Sequence, residues 1–245
     1  MDPYEIRVVA TSSGVVVNAA SKLPTLETEF TLFGEGHGVV GAMDEVGRGS
    51  AVGPCCVGLV VIGADIGPCP AGLRDSKLLS VARREELVAP IRAWVLESVV
   101  GSASAREIDD FGLTWGLRLA GLRALSMVSR RPDVVLLDGG HDWLSIPVPS
   151  LVDPPYPHVA VPPVRTMIKA DVSCASVAAA SVVAKVQRDN IMRLLAREVP
   201  GYGIETNMGY VTPSHRAALR ALGPSPHHRL SWNLLAHAPT SVTAD

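Results

Sequence analysis

The chain is poor in the residues that announce redox or zinc chemistry. Its four cysteines, Cys55, Cys56, Cys69 and Cys174, form no C-x-x-C pair and fall at no Cys/His spacing of a zinc site. They are expected to be core thiols in a reducing compartment. Long apolar runs are also missing. The longest uncharged stretch, from Ser50 to Ala64, is broken by Pro54 and several glycines and falls short of the ~20 residues of a membrane span. No basic-then-apolar leader opens the chain, and acids stand at Asp2 and Glu5. A cytoplasmic protein with no membrane partner is therefore expected. Charge of one sign is absent too: the formal net charge is −2, so any surface for a polyanion must be local. Aromatics make up only 4%, and Trp94, Trp115, Trp143 and Trp232 show no stacking-platform pattern. There is no internal repeat and no low-complexity tract. What is present is a 47% hydrophobic chain of 245 residues, ample for a packed core.

The most informative stretch is Asp44-Glu45-Val46-Gly47-Arg48-Gly49. Two acids end an apolar run that begins at Val39, and a glycine-flanked arginine follows. Carboxylates at a strand end are oxygen ligands for a hard cation such as Mg²⁺. Arg48 is a fixed cation suited to phosphate, and its glycine neighbours let backbone approach a ligand closely. Alone, the hexapeptide reads equally well as a polar turn.

Other acids recur in the same context. Apolar runs suggest strands over 39–44, 52–62, 99–103, 134–138 and 164–169, the first two as a hairpin. Ser80 is placed to cap a helix reaching about 97. Ser104-x-x-Glu107 has the form of a capping box, opening a helical region to about 129 that Gly112 interrupts. Ser173 is expected to cap a helix to 198, with Ala175, Ala178, Ala179, Val182, Val183 and Val186 as its core stripe. Thr212-Pro213 opens a last helix to about 222. Residues 141–163 are proline-rich loop with room for a short strand. Asp138 thus follows one strand, and Asp171 follows another, as Asp44 does. Acids at strand ends on one edge of an α/β sheet cluster in space. Crowded carboxylates resist ionisation, and divalent cations remove that penalty. Two such ions about 3.5–4 Å apart suit in-line phosphodiester displacement. From Lys185 to Arg229 seven cations stand against three acids, a candidate duplex-tracking face including Arg188, Arg216, Arg220 and Arg229. His215, His227 and His228 are expected in structural or surface roles, because hard cations prefer oxygen.

Taken together, the motifs resemble the bacterial ribonuclease HII family, the type 2 ribonucleases H. They are Asp44–Gly49, Asp75-Ser76-Lys77, Ile108-Asp109, Asp138-Gly139, Lys169-Ala170-Asp171 with the segment to Asp189, Gly209-Tyr210, Thr212–His215 and Gly223–Arg229. The resemblance covers roughly 38–232. It implies an α/β fold, a ribonuclease H-like mixed β-sheet flanked by helices, with a C-terminal helical extension. Residues 1–36 would be an N-terminal extension, 37–198 the catalytic domain, and 199–245 the helical extension that contributes to substrate binding. The implied activity is endonucleolytic cleavage on the 5′ side of ribonucleotides embedded in duplex DNA and of the RNA strand of RNA–DNA hybrids. The products carry 3′-hydroxyl and 5′-phosphate, and the role is in ribonucleotide excision. Two Mg²⁺ or Mn²⁺ ions would be held by Asp44, Glu45, Asp138 and Asp171. Gly47, Arg48 and Gly49 would contact the ribose 2′-hydroxyl, Tyr210 would stack at the RNA-to-DNA junction, and Lys77 would contact phosphate. A monomer is implied.

The chain departs from the family pattern at Ala170 before the fourth acid, at Leu78 and Met208 where cations are usual, and at Gly112 and Val211. Lost cations at 78 and 208 imply weaker, less salt-dependent DNA binding. A non-catalytic hybrid-binding module and another two-metal nuclease on the same scaffold are the alternatives.

Overall fold

The computed structural model describes residues 23–145, 157 and 159–234. The first 22 residues, most of the proline-rich 146–158 and the tail after 234 lie outside the described residues, and with them much of the expected N-terminal extension and the short strand considered for 141–163.

Five strands form one mixed sheet in the order β3-β2-β1-β4-β5. They are β1 Val39–Val46, β2 Cys55–Gly63, β3 Glu97–Ala103, β4 Val134–Asp138 and β5 Val164–Met167. Strand β1 is central. It pairs antiparallel with β2, from Val39↔Gly63 to Val46↔Cys56, as the hairpin reading anticipated. On its other side it pairs parallel with β4, ending at Met43↔Leu137. Side chains alternate across the sheet, as the pleat requires. Val40, Ala42, Val60, Ile62, Val134 and Leu136 enter one core, while Met43, Leu59, Val61, Val135 and Leu137 enter the other. Both faces are covered, which is why these strands read as continuous apolar runs rather than alternating ones.

Helix α6, Ala175–Glu198, lies on the first face, with α2, Val81–Trp94, beside it. Its first ten residues, Ala175 to Ala184, are all buried, so the stripe read from the sequence is in fact a whole buried half-helix. It approaches β2 so closely that a Cβ on Gly58 would stand 2.4 Å from the Ala180 carbonyl oxygen. Helix α4, Leu113–Met127, packs on the second face. It is separated from α3, Ala105–Phe111, by Gly112 at φ +87°, and α3 starts with the full capping box of Ser104 and Glu107. The Ser80 and Thr212 caps form as expected, each hydroxyl accepting the N–H three residues on.

Two expectations are corrected. Ser173 is not the cap of α6: it ends the short helix α5, Ala170–Ser173, and Cys174 takes the cap position with no side-chain hydrogen bond. The capping carboxylate comes instead from Glu29, which accepts from Ser176 N–H at 2.9 Å and from its hydroxyl at 2.5 Å. Glu29 sits on α1, Glu27–Gly34, a helix inside the stretch that showed no periodicity. Residues 23–36 are therefore part of the folded body, with Leu32 in the core and Thr25 bridged to Cys174.

The C-terminal part contains α7, Ile204–Asn207, and α8, Pro213–Leu222, around a small core of Val52, Met192, Tyr202, Ile204 and Leu219. His215 and His228 are buried there, Nε2 to Nε2 at 3.1 Å. The Nδ1 of His228 accepts the Ser225 N–H at 2.9 Å, so its Nε2 carries the proton given to His215. Burial, and then the neighbouring His215, push the His228 imidazole down to about 4. These are structural histidines. His227 lies at the surface against Glu198.

Candidate active site

The carboxyl ends of the parallel strands β1 and β4 lie side by side. One residue past the last register pair stand Asp44 and Asp138. Both continue the alternation that faces α6, and Glu45 faces the other way. After β5 the backbone turns through Lys169 at φ +60°, a left-handed conformation unusual for a non-glycine residue. That turn opens α5, whose Asp171 N–H donates to Asp138 Oδ1 at 3.3 Å. The three acids read from separate strand ends are thus brought to one edge of the sheet.

Their surroundings make ionisation costly. Burial pushes Asp44 up to about 8; the Ser181 hydroxyl partly offsets this, and Asp138 and Glu45 add to it. Burial also raises Glu45, and burial together with the Asp171 charge raises Asp138. Side-chain cations sit among these oxygens. Lys77 Nζ donates to Asp171 Oδ2 at 2.9 Å and lies 3.8 Å from Asp75 Oδ1. Burial opposes the Lys77 charge, but the hydrogen bond and charge of Asp171, joined by the charges of Asp75 and Asp44, together outweigh it and raise the ammonium above its ordinary value. Arg48 pairs with Glu45 Oε1 at 3.2 Å. Among the described residues no three His, Cys, Asp or Glu side chains stand gathered as a ready metal cage.

The donor set nonetheless fits a hard divalent ion. All four acids offer oxygen only. Glu45 Oε2 is buried without a hydrogen-bond partner, an orphaned acceptor. The mutual repulsion at Asp44 and Asp138 is of the kind a cation relieves.

Two serines at this site belong to longer sequence motifs, with no role assigned to them from the sequence. Ser181 hydrogen-bonds Asp44 from α6 and shares a 2.8 Å bond with Ser76, beside Lys77. A lone hydroxyl in the run Ala178–Ala184 was the available signal.

The Gly47-Arg48-Gly49 loop adjoins the acids. Gly47 holds φ +82°, and a Cβ there would stand 2.1 Å from Arg188 Nε. No other residue type fits that position without displacing a buried guanidinium. Tyr210 is half exposed, and a Cβ on Gly49 would meet its ring edge at 3.9 Å. Met208, at φ +50°, and Gly209 turn the chain toward it, and Ala51 N–H binds the Gly209 carbonyl at 2.9 Å. The structure thus brings together Asp44, Glu45, Asp138, Asp171 and Lys77 at the sheet edge, and Gly47, Arg48, Gly49 and Tyr210 beside them.

The basic face of the C-terminal third is smaller than its cation count. Arg188 and Arg229 are fully buried, and Lys185 is held by Asp189 at 2.5 Å. They are not duplex-facing charges.

A family description for ribonuclease HII matches residues 41–235. The ribonuclease HII of Streptomyces coelicolor is 46% identical over 204 residues, spanning 83% of this chain and 81% of that protein. That of Roseobacter denitrificans is 42% identical over 198 residues, spanning 81% and 91%. The crystal structure of the ribonuclease H2 from Pyrococcus horikoshii OT3 superposes with a TM-score of 0.61 at 24% identity, covering 80% of this chain and 95% of that one. That likeness speaks for the fold, a ribonuclease H-like mixed sheet flanked by helices. With the match running through every element that carries the acids, the loop and the tyrosine, the chain belongs to the ribonuclease HII family of type 2 ribonuclease H endonucleases.

Proposed function

We propose that this endonuclease cuts the phosphodiester on the 5′ side of a ribonucleotide embedded in duplex DNA, and the RNA strand of RNA–DNA hybrids, leaving 3′-hydroxyl and 5′-phosphate ends. The observation that carries the proposal is the meeting of Asp44, Asp138 and Asp171 at one sheet edge beside the Gly47–Gly49 loop.

Asp44, Glu45, Asp138 and Asp171 would hold two Mg²⁺ or Mn²⁺ ions. Such ions, when bound, supply an activated water and charge stabilisation at the leaving oxygen. The chain's own residues do the rest. Ser181 fixes the Asp44 carboxyl through its hydroxyl, and Ser76 fixes Ser181. The Asp171 N–H orients Asp138. Lys77, whose side chain is largely exposed, would exchange Asp171 for a substrate phosphate. Gly47, Arg48 and Gly49 read the 2′-hydroxyl, the group that separates RNA from DNA. Tyr210 stacks on the sugar that follows. The site belongs in the cytoplasm, in ribonucleotide excision from DNA.

End-labelled duplexes carrying one ribonucleotide, several, or none test this in Mg²⁺ and in Mn²⁺. A nick 5′ of the single ribonucleotide, lost in Asp44→Asn, is expected. Cutting of an all-DNA junction in place of the ribonucleotide duplex would move the chain to a different nuclease class.

A further inference from the structure

Two cations lie inside this molecule without a salt bridge, Asp189 and Asp109 acting on Arg188 and Arg229 only as more distant charges. Among the described residues, every hydrogen bond that Arg188 and Arg229 donate goes to a backbone carbonyl, and neither guanidinium pairs with a carboxylate. Burial depresses both, Arg229 to about 10. A buried cation carries a desolvation penalty that an apolar side chain does not. What such a cation does to its partners therefore matters.

For Arg229 the partners are consecutive. Its Nη2 donates to the Gly47 carbonyl at 2.6 Å and its Nη1 to the Arg48 carbonyl at 2.8 Å. No peptide bond among the described residues is cis. In a trans peptide the C=O and the following N–H point in opposite directions. With the carbonyls of 47 and 48 turned onto the guanidinium, the N–H groups of Arg48 and Gly49 point away from it, on the exposed side of the loop. Two successive N–H groups so aligned form a concave donor pair for an electron-rich oxygen. Arg229 is itself fixed from both sides. The Trp232 ring lies 4.7 Å from its Cζ, and Asp109 accepts from the N–H groups of Leu230 and Ser231 at 2.7 and 3.0 Å.

We infer that Arg229 is a positioning residue for sugar recognition: its planar fork grips two successive carbonyls and so holds the Arg48 and Gly49 N–H groups outward as donors to a ribose 2′-hydroxyl. The role rests on the proposed ribose contact of Gly47–Gly49. A lysine cannot replace it, because one ammonium lacks the fixed fork that spans both carbonyls.

The test uses the full chain with Asp44→Asn, so that nothing is cut, in Mg²⁺, with fluorescent duplexes that differ only in one ribonucleotide. Anisotropy gives the ratio of the two affinities. Adding Arg229→Lys should bring the ratio to about one, with affinity for the all-DNA duplex retained. A ratio that stays at the parent value overturns the role. If Arg229→Lys melts below the assay temperature, Asp109→Ala, which releases the segment carrying Arg229, decides in its place: an intact ratio there also overturns the role. Should the Asp44→Asn parent bind both duplexes alike, and the unsubstituted chain leave the ribonucleotide duplex uncut, the ribose contact fails and takes Arg229 with it. If the parent discriminates and the Arg229 variant still does, Arg229 alone fails.

Discussion

Asp44 is a carboxyl group held where its charged form is unfavourable, and this ties stability to pH. Its folded-state value, pushed up to about 8, exceeds the ordinary 3.8. The unfolded chain therefore gives up this proton first as pH rises, so the stabilisation present below pH 3.8 is lost progressively up to about 8. In EDTA, the melting temperature of the protein is expected to fall between pH 5 and pH 8. Asp44→Asn, which cannot ionise, should fall less over the same range while losing all cleavage. Parallel melting curves for the two proteins would show that the acid is not strained by burial. Asp44, Glu45 and Asp138 were legible because they end apolar runs, a pattern local in sequence, whereas Asp171 follows the mixed stretch 164–170. Ser181, Arg188 and Arg229 were not legible. A serine among alanines reads as filler, and arginines near the C-terminus read as surface charge. Their partners are the Asp44 carboxyl and backbone carbonyls, reached only through the fold.

Elements were legible where the signal is local and missed where it is shared. The β1–β2 hairpin, the Ser104 capping box and the Thr212-Pro213 start all follow from short-range chemistry. Helix α1 does not, because its eight residues bury only Glu29 and Leu32, too few for a period. Its purpose shows in three dimensions, where Glu29 caps α6 across 147 positions. The same reach displaced the expected cap at Ser173. Glu29→Ala strips the buried start of α6 of its acceptor, leaving the Ser176 N–H and hydroxyl unpaired. A loss of about 1–3 kcal/mol follows. Urea denaturation reads it as a lower midpoint at unchanged slope. A midpoint equal to the wild type would mean that α1 rests on the body without holding it.

For the whole molecule, charge placement sets how binding responds to salt. Global composition showed that any basic surface is local, but not which cations stay outside. Each phosphate contact contributes about 0.9 to the slope of log affinity against log salt. Lys185, occupied by Asp189, should contribute nothing, so Lys185→Met is expected to leave that slope unchanged. A decrease of about one unit would put Lys185 on the duplex after all. Sheet class and the sheet-edge position of the acids were readable because buried parallel strands have a plain sequence signature. The closure of the Gly47–Gly49 loop was not, since its hydrogen bonds to Arg229 span 181 and 182 positions. That span also orders events on the ribosome. The sheet and all four acids emerge well before residue 229 is translated. A nascent chain stalled short of it would carry the four acids without the fastening of the loop beside them, so the proposed selectivity for the sugar would arrive only once residue 229 is in place.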